Sequence, residues 1–296
     1  MAERKPLDAA AVLLVVLLCL VWGVGHTAAK LAAEGISLVF QSGLRSAIAT
    51  FLLFAWSRWQ GIALFERDGT LPAGIVAGLL FGAEFLFIFG GLAYTDAARM
   101  AVFVYLAPCL TALGLHWFVP AERLGWLQWA GIGIAFAGIA LAFADGFAAG
   151  RGTWLGDAAG VVAAALWAAT TVVIRATKLA SASATKTLFY QLAVSGPLLL
   201  AAALAIGEPG VTRLTPVVLG AFAYQCVVVA FASFLAWFWL LRHYSAARLS
   251  VFTFLTPLFG MIAGVLLLGE PLTPRFAAAA LLVGAGIFLV NLRASR

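Results

Sequence analysis

Apolar residues in this chain come in runs too long for strands or for the buried face of a globular helix. Ten segments hold almost no charge: 9–29, 37–57, 72–94, 98–118, 124–144, 154–175, 185–206, 215–241, 246–268 and 274–292. A helix rises 1.5 Å per residue, so about 20 apolar residues cross a hydrocarbon core about 30 Å thick. The breaks carry turn and polar chemistry, as in Glu66-Arg67-Asp68-Gly69, Pro120-Ala121-Glu122-Arg123 and Gly207-Glu208-Pro209-Gly210. The pattern predicts an all-α membrane protein of ten transmembrane helices, numbered spans 1 to 10. No loop is long enough to fold as a separate domain.

Composition agrees. The hydrophobic fraction is 64% and the charged fraction 10%, against about 25% charge in soluble chains. Lipid must therefore be the solvent, and the bilayer is the first partner. The net charge of +6 does not point to nucleic acid, because the basic residues are scattered through short loops and form no patch. They sort by side instead. Arg4, Lys5, Arg58, Arg67, Arg123, Arg175, Lys178, Lys186, Arg242, Arg248, Arg293 and Arg296 fall on one side; Lys30, Arg99, Arg151, Arg213 and Arg275 fall on the other. Basic loops stay cytoplasmic, so both termini are predicted cytoplasmic. Arg4 and Lys5 precede an apolar run with no A-x-A cleavage signal, so span 1 is read as uncleaved.

The chain also repeats itself. Ala98, Arg99, Val102, Phe103, Leu106 and Pro108 recur 149 positions later as Ala247, Arg248, Val251, Phe252, Leu255 and Pro257. Trp22 and Lys30 recur as Trp167 and Arg175, an offset of 145. The expected units are 1–148 and 149–296, five spans each. Five is odd, so the second unit enters the membrane from the opposite face. The repeat is then inverted about an axis in the membrane plane, with a central cavity between the halves.

Several residues could carry chemistry. Glu84 is the one acid deep in a span, and a lone carboxylate in hydrocarbon costs at least ~2.5–3.5 kcal/mol. Arg45 lies inside span 2 at a depth that differs from that of Glu84 by only ~3 Å. They form either a buried ion pair locking spans 2 and 3 or a site for substrate or proton. Trp22 and Trp167 sit near the midplane, where they pack between helices or stack on an aromatic solute. His26, one turn beyond Trp22, is a structural histidine or a ligand. Tyr105, Tyr224 and Gln225 bring polar tips into spans 4 and 8, as an amphipathic solute requires. Pro108 and Pro257 kink spans 4 and 9, as fixed bends or as hinges. Glu122 and Glu270 precede spans 5 and 10 and are expected to complement those helix dipoles. Cys19, Cys109 and Cys226 fall in apolar runs and read as small core residues; no CxxC or HExxH spacing suggests a metal.

The motifs together resemble a known family. Trp22-Gly23, Lys30, Arg45, Leu92-Ala93-Tyr94-Thr95, Ala97-Ala98-Arg99, Pro108, Glu122-Arg123-Leu124 and Ala137-Gly138-Ile139 lie in the first half. Ala246-Ala247, Pro257 and Gly269-Glu270-Pro271-Leu272 lie in the second. This set is similar to the drug/metabolite transporter superfamily, in its ten-helix EamA-type branch, and most resembles the bacterial aromatic amino acid exporters. The resemblance implies an inner-membrane exporter with a central cavity inside spans 1–4 and 6–9. Spans 5 and 10 would lie outside, at a homodimer contact. The branch often has a small polar residue after the Trp-Gly of span 1. Here Val24-Gly25-His26 follows, so the resemblance gives His26 no role.

The sequence thus predicts an alternating-access secondary transporter that exports aromatic and bulky neutral amino acids or similar amphipathic metabolites. Purines, cationic compounds or sugars are the alternative cargo. The expected cavity lining is Trp22, His26, Glu84, Tyr105, Trp167, Tyr224 and Gln225. No GxxxxGK[ST] loop is present, so ATP is not the direct energy source and no cofactor is expected. No HExxH, GxGD or GxSxG motif marks an intramembrane enzyme. A channel would need a ring of like charges or several subunits.

Overall fold

The computed structural model describes residues 7–95, 97–144, 153–268 and 275–292. Each span begins and ends where local chemistry allows. Asp8 caps span 1 (Ala9–Ala33), accepting from the Ala11 amide at 2.8 Å. Thr153, Ser183 and Thr215 cap spans 6 (Trp154–Ala176), 7 (Ala184–Ala205) and 8 (from Pro216) in the same way. Span 2 (Leu38–Trp59) and span 7 close alike. Gly61 follows span 2 at φ 67° and Gly207 follows span 7 at φ 75°. Both glycines hold the left-handed turn that ends a helix.

Eight of the spans are 20 to 28 residues long and apolar enough to cross a membrane. Span 5 (Trp126–Ala142) has 17 residues, shorter than expected, and span 10 covers Arg275–Asn291 among the described residues. At 1.5 Å per residue span 5 is about 26 Å long, near the lower limit for crossing.

Spans 4 and 9 are broken rather than continuous. Span 4 stops at Val104 and restarts at Ala107, one residue before Pro108. Span 9 stops at Phe252 and restarts at Leu255, two residues before Pro257. Placing the proline in the first turn of a new segment removes its conflict with the preceding carbonyl. Span 8 changes its winding instead: Tyr224–Ser233 is a π-helix between α-helices Pro216–Ala223 and Phe234–His243.

The neighbours of each span reveal the symmetry. Span 1 packs on spans 8 and 9; correspondingly, span 6 packs on spans 3 and 4. Span 3 (Leu71–Gly91) packs on span 7, and span 8 packs on span 2. Spans 2 and 7, 4 and 9, and 5 and 10 pack on their own counterparts. Exchanging every span with the one five later therefore leaves the arrangement unchanged.

The glycines give the directions. A Cβ on Gly131 would meet the Gly286 carbonyl oxygen at 2.8 Å and one on Gly138 the Ala279 carbonyl oxygen at 2.9 Å, so spans 5 and 10 run antiparallel. Gly78 and Gly82 lie against Val194 and Leu198, so spans 3 and 7 run parallel. Gly23 lies against Gly260, where a Cβ would be 2.7 Å from the backbone nitrogen. Small residues permit these approaches, which in lipid supply the packing that water would otherwise drive. The fold is two inverted five-helix repeats.

Candidate functional site

The π-helical stretch of span 8 is fastened to span 1 at three points. The Tyr224 hydroxyl donates to the Val21 carbonyl at 2.9 Å, and Gln225 Nε2 donates to the Gly25 carbonyl at 2.5 Å. Trp22 Nε1 donates to Ser233 Oγ at 2.8 Å. A π-stretch brings residues to one face that an α-helix would separate, and such insertions recur at functional sites. Here it lets Gln225 reach two partners: its Oε1 accepts from Arg45 Nη1 at 3.1 Å.

Arg45 is 9% exposed. Its guanidinium lies over the Phe85 ring, 5.0 Å from the centroid, a cation–π contact. Its Nε and Nη2 are buried without a hydrogen-bond partner. Glu84 is 6% exposed. No hydrogen bond or ion pair joins Arg45 to Glu84 among the described residues, so the expected lock between spans 2 and 3 does not form. The reason is packing. Glycines on both spans face span 7, Gly43 against Leu200 and Gly78 against Val194; span 2 packs chiefly on that helix, and span 3 is held between it and span 6. Arg45 turns to span 8 instead.

A chain of rings crosses the boundary between halves. Trp237 and Phe234 of span 8 meet Trp22 edge-on, with centroids 5.4 and 6.2 Å away. Phe234 meets Phe81 of span 3 at 6.0 Å, Phe81 meets Phe85 at 5.1 Å, and Phe85 stacks on Phe89 at 6.0 Å. Phe81, Phe85 and Phe89 recur every fourth residue on one helix face, a spacing visible in the sequence but not singled out. Ser233 and Trp237 were likewise missed. His26 is exposed although it sits beside Gly260 of span 9 and one turn from Trp22.

The other two expected lining residues are packed in apolar clusters. Tyr105 is 4% exposed in the large apolar core. Trp167 packs beside Met100, Val104 and Ala163, between spans 4 and 6. The structure therefore joins Arg45 to Phe85 and Gln225, and fastens Gln225, Tyr224 and Trp22 together across spans 1 and 8, while Tyr105 lies in the apolar cluster on which Trp22 and Phe85 pack and Trp167 lies in a separate one.

Polar ties between halves sit at both membrane ends. Glu122 does not cap span 5. Its carboxylate accepts from Arg175 Nη2 and from the Ser245 hydroxyl. It also accepts from the amides of Ala246 and Ala247, at 3.2 and 3.3 Å. It thus caps span 9, because the start of that helix offers free amides beside the Arg175 guanidinium. Its counterpart Glu270 lies outside the described residues. At the same end Lys186 Nζ meets Asp68 Oδ2 at 2.7 Å, and the Tyr244 hydroxyl donates to Asp8 at 2.8 Å. The Lys186 ammonium and the Thr70 hydroxyl hold the Asp68 carboxyl well below the ordinary aspartate range. The hydrogen bond to Asp8 raises the Tyr244 phenol. At the opposite end Glu208 accepts from Ser37 Oγ at 2.8 Å and from the amides of Val39 and Phe40 at 3.1 and 2.8 Å. Arg99 pairs with Asp157 there. Among the described residues no cluster of His, Cys, Asp or Glu could hold a metal ion.

This architecture matches known proteins. The model of the EamA-like transporter family fits the chain twice, over residues 9–144 and 154–292. The chain belongs to the EamA-like transporter family, a family of membrane transporters. It is 27% identical over 286 residues to an uncharacterized transporter, YvbV, of Bacillus subtilis, covering 94% of this chain and 90% of that one. It is 26% identical over 285 residues to a probable amino-acid metabolite efflux pump of Salmonella typhimurium, covering 93% of each. A crystal structure 20% identical in sequence superposes with a TM-score of 0.80 over 96% of this chain and 98% of that one, which supports the fold.

Proposed function

We propose that the protein exports aromatic and bulky neutral amino acids from the cytoplasm by alternating access. The observation that carries this is the line of rings from Trp237 through Trp22 and Phe234 to Phe81 and Phe85, which ends at the buried Arg45 guanidinium. A stacking surface beside one fixed cation suits a solute with an apolar ring and a charged head. The likeness to a probable amino-acid metabolite efflux pump supports a cargo related to amino acids. The inverted halves supply the mechanism. If each half adopts two shapes, exchanging them turns the site from one membrane face to the other. The basic residues favour an inner membrane with both termini in the cytoplasm.

Uptake into liposomes holding the purified protein tests the cargo. The panel is labelled amino acids, nucleobases and sugars, with and without a proton gradient. Phenylalanine, tryptophan and leucine should enter faster than alanine or serine. Flux of a nucleobase, a cationic compound or a sugar in the absence of amino-acid flux would replace this reading with the corresponding one.

A further inference from the structure

The buried charges attract each other without a direct contact, and they are poised for a third group. Arg45 spends Nη1 on Gln225 and its face on Phe85. What remains is Nε and Nη2, both buried and unpartnered. Those two nitrogens form the side edge of the guanidinium, the edge that takes a carboxylate through two parallel hydrogen bonds. The group is also held in place before any ligand arrives, since Gln225 is itself anchored on the Gly25 carbonyl. Glu84, one residue before Phe85, makes no hydrogen bond or direct ion pair among the described residues, yet it lies close enough to Arg45 for the two charges to attract.

The two charges occur in the first half only. Spans 2 and 7 are both 22 residues long, and aligning their starts places Gln191 opposite Arg45. Aligning the starts of spans 3 and 8 places Val229 opposite Glu84. Neither counterpart is charged, so the site would hold a charged solute in one orientation.

We propose that Arg45 and Glu84 hold the two ends of a zwitterion. Arg45 takes the α-carboxylate through Nε and Nη2, and Glu84 takes the α-ammonium. The solute's side chain then lies along the rings. This deepens the proposed function and rests on it. It assigns selection to the head group: a compound lacking either charge leaves one buried charge unpaired and binds worse.

The test uses competition against labelled phenylalanine uptake in liposomes. Phenethylamine lacks the carboxylate, and 3-phenylpropionate lacks the ammonium. On the unaltered protein, unlabelled phenylalanine should compete at least about tenfold better than either, the loss expected for one hydrogen bond to a charged group. Arg45→Gln should reduce phenylalanine uptake at least about tenfold while leaving any inhibition by phenethylamine unchanged. Glu84→Gln should do the same with respect to 3-phenylpropionate. Arg45→Lys, which keeps the charge and loses the two-point edge, should fall between. Either analogue competing as well as phenylalanine on the unaltered protein would overturn the proposal, and this comparison needs no variant to fold. Variants that lose potency against all three compounds in parallel would overturn it too. Absence of flux for every amino acid beside flux of another solute would instead refute the cargo reading.

Discussion

Glu122 and Arg175 form an ion pair that joins the two halves, with 2% and 4% of their side chains exposed. Glu122 lies between spans 4 and 5, and Arg175 lies in the last turn of span 6. Arg175 also donates Nη1 to the Leu241 carbonyl at 3.2 Å, while Glu122 receives Ser245 and the first amides of span 9. The pair thereby ties four elements at one membrane end. Burying two charges is costly unless their hydrogen bonds are completed, and here most are.

Removing the charge from Glu122 should be severe. Glu122→Gln leaves Arg175 buried without its countercharge, a loss of about 3–5 kcal/mol. The double change Glu122→Leu, Arg175→Met should recover only part of this. Ser245 and the amides of Ala246 and Ala247 still lose their acceptor, at about 1–3 kcal/mol for each buried group. Melting curves of the single and double variants in detergent check both statements. A Glu122→Gln protein as stable as the original would refute the role.

Asp68 makes stability depend on acid. Its carboxyl is lowered by the Lys186 hydrogen bond, so the folded state binds the proton later than the unfolded chain does. The contribution is present above the ordinary aspartate value of 3.8 and is lost as pH falls through the lowered folded value. Melting temperature should therefore drop on acidification below that point. Asp68→Asn should melt lower at neutral pH and flatten the acid limb. Parallel acid limbs for the two proteins would contradict this.

Trp22 separates ring packing from hydrogen bonding. Trp22→Phe keeps a ring near Phe234 and Trp237 and loses only the bond to Ser233, about 1 kcal/mol. Trp22→Ala removes the ring as well and should cost about 3–5 kcal/mol. Thermal melting gives the two values. Equal losses would mean that the rings contribute nothing there.

Much of the fold is legible because lipid demands long apolar helices, and hydropathy reports length directly. The ends of spans 2 and 7 were readable for the same reason. Pro108 and Pro257 marked where spans 4 and 9 bend but not that each helix stops and restarts there, since hydropathy takes no account of backbone winding, and nothing in the composition of Tyr224–Ser233 announces a π-helix. Residue depth along spans 2 and 3 gave the heights of Arg45 and Glu84 but not the directions in which they point. Those directions are set by packing, span 2 on span 7 and span 3 on spans 6 and 7, which leaves Arg45 free to meet Gln225. Glu122 failed for a related reason. Its nearest helix in sequence is span 5, yet the helix start that reaches it in space is span 9.

Orientation has its own check. Gln60 and Pro209 are exposed in loops at opposite ends of the molecule. With the three native cysteines replaced, Gln60→Cys should label only from the cytoplasm and Pro209→Cys only from outside. The reverse pattern would invert the assigned topology.

Counterflow tests the central claim, a carrier for bulky neutral amino acids, most directly. Liposomes with the purified protein are loaded with unlabelled phenylalanine and diluted into a trace of labelled phenylalanine. A carrier that alternates between faces exchanges the two, so label should accumulate transiently above its equilibrium level and then decay. Unlabelled tryptophan or leucine in the outer medium should suppress the peak, and serine should not. A monotonic rise to equilibrium with no transient peak, unaffected by any amino acid outside, would contradict the account.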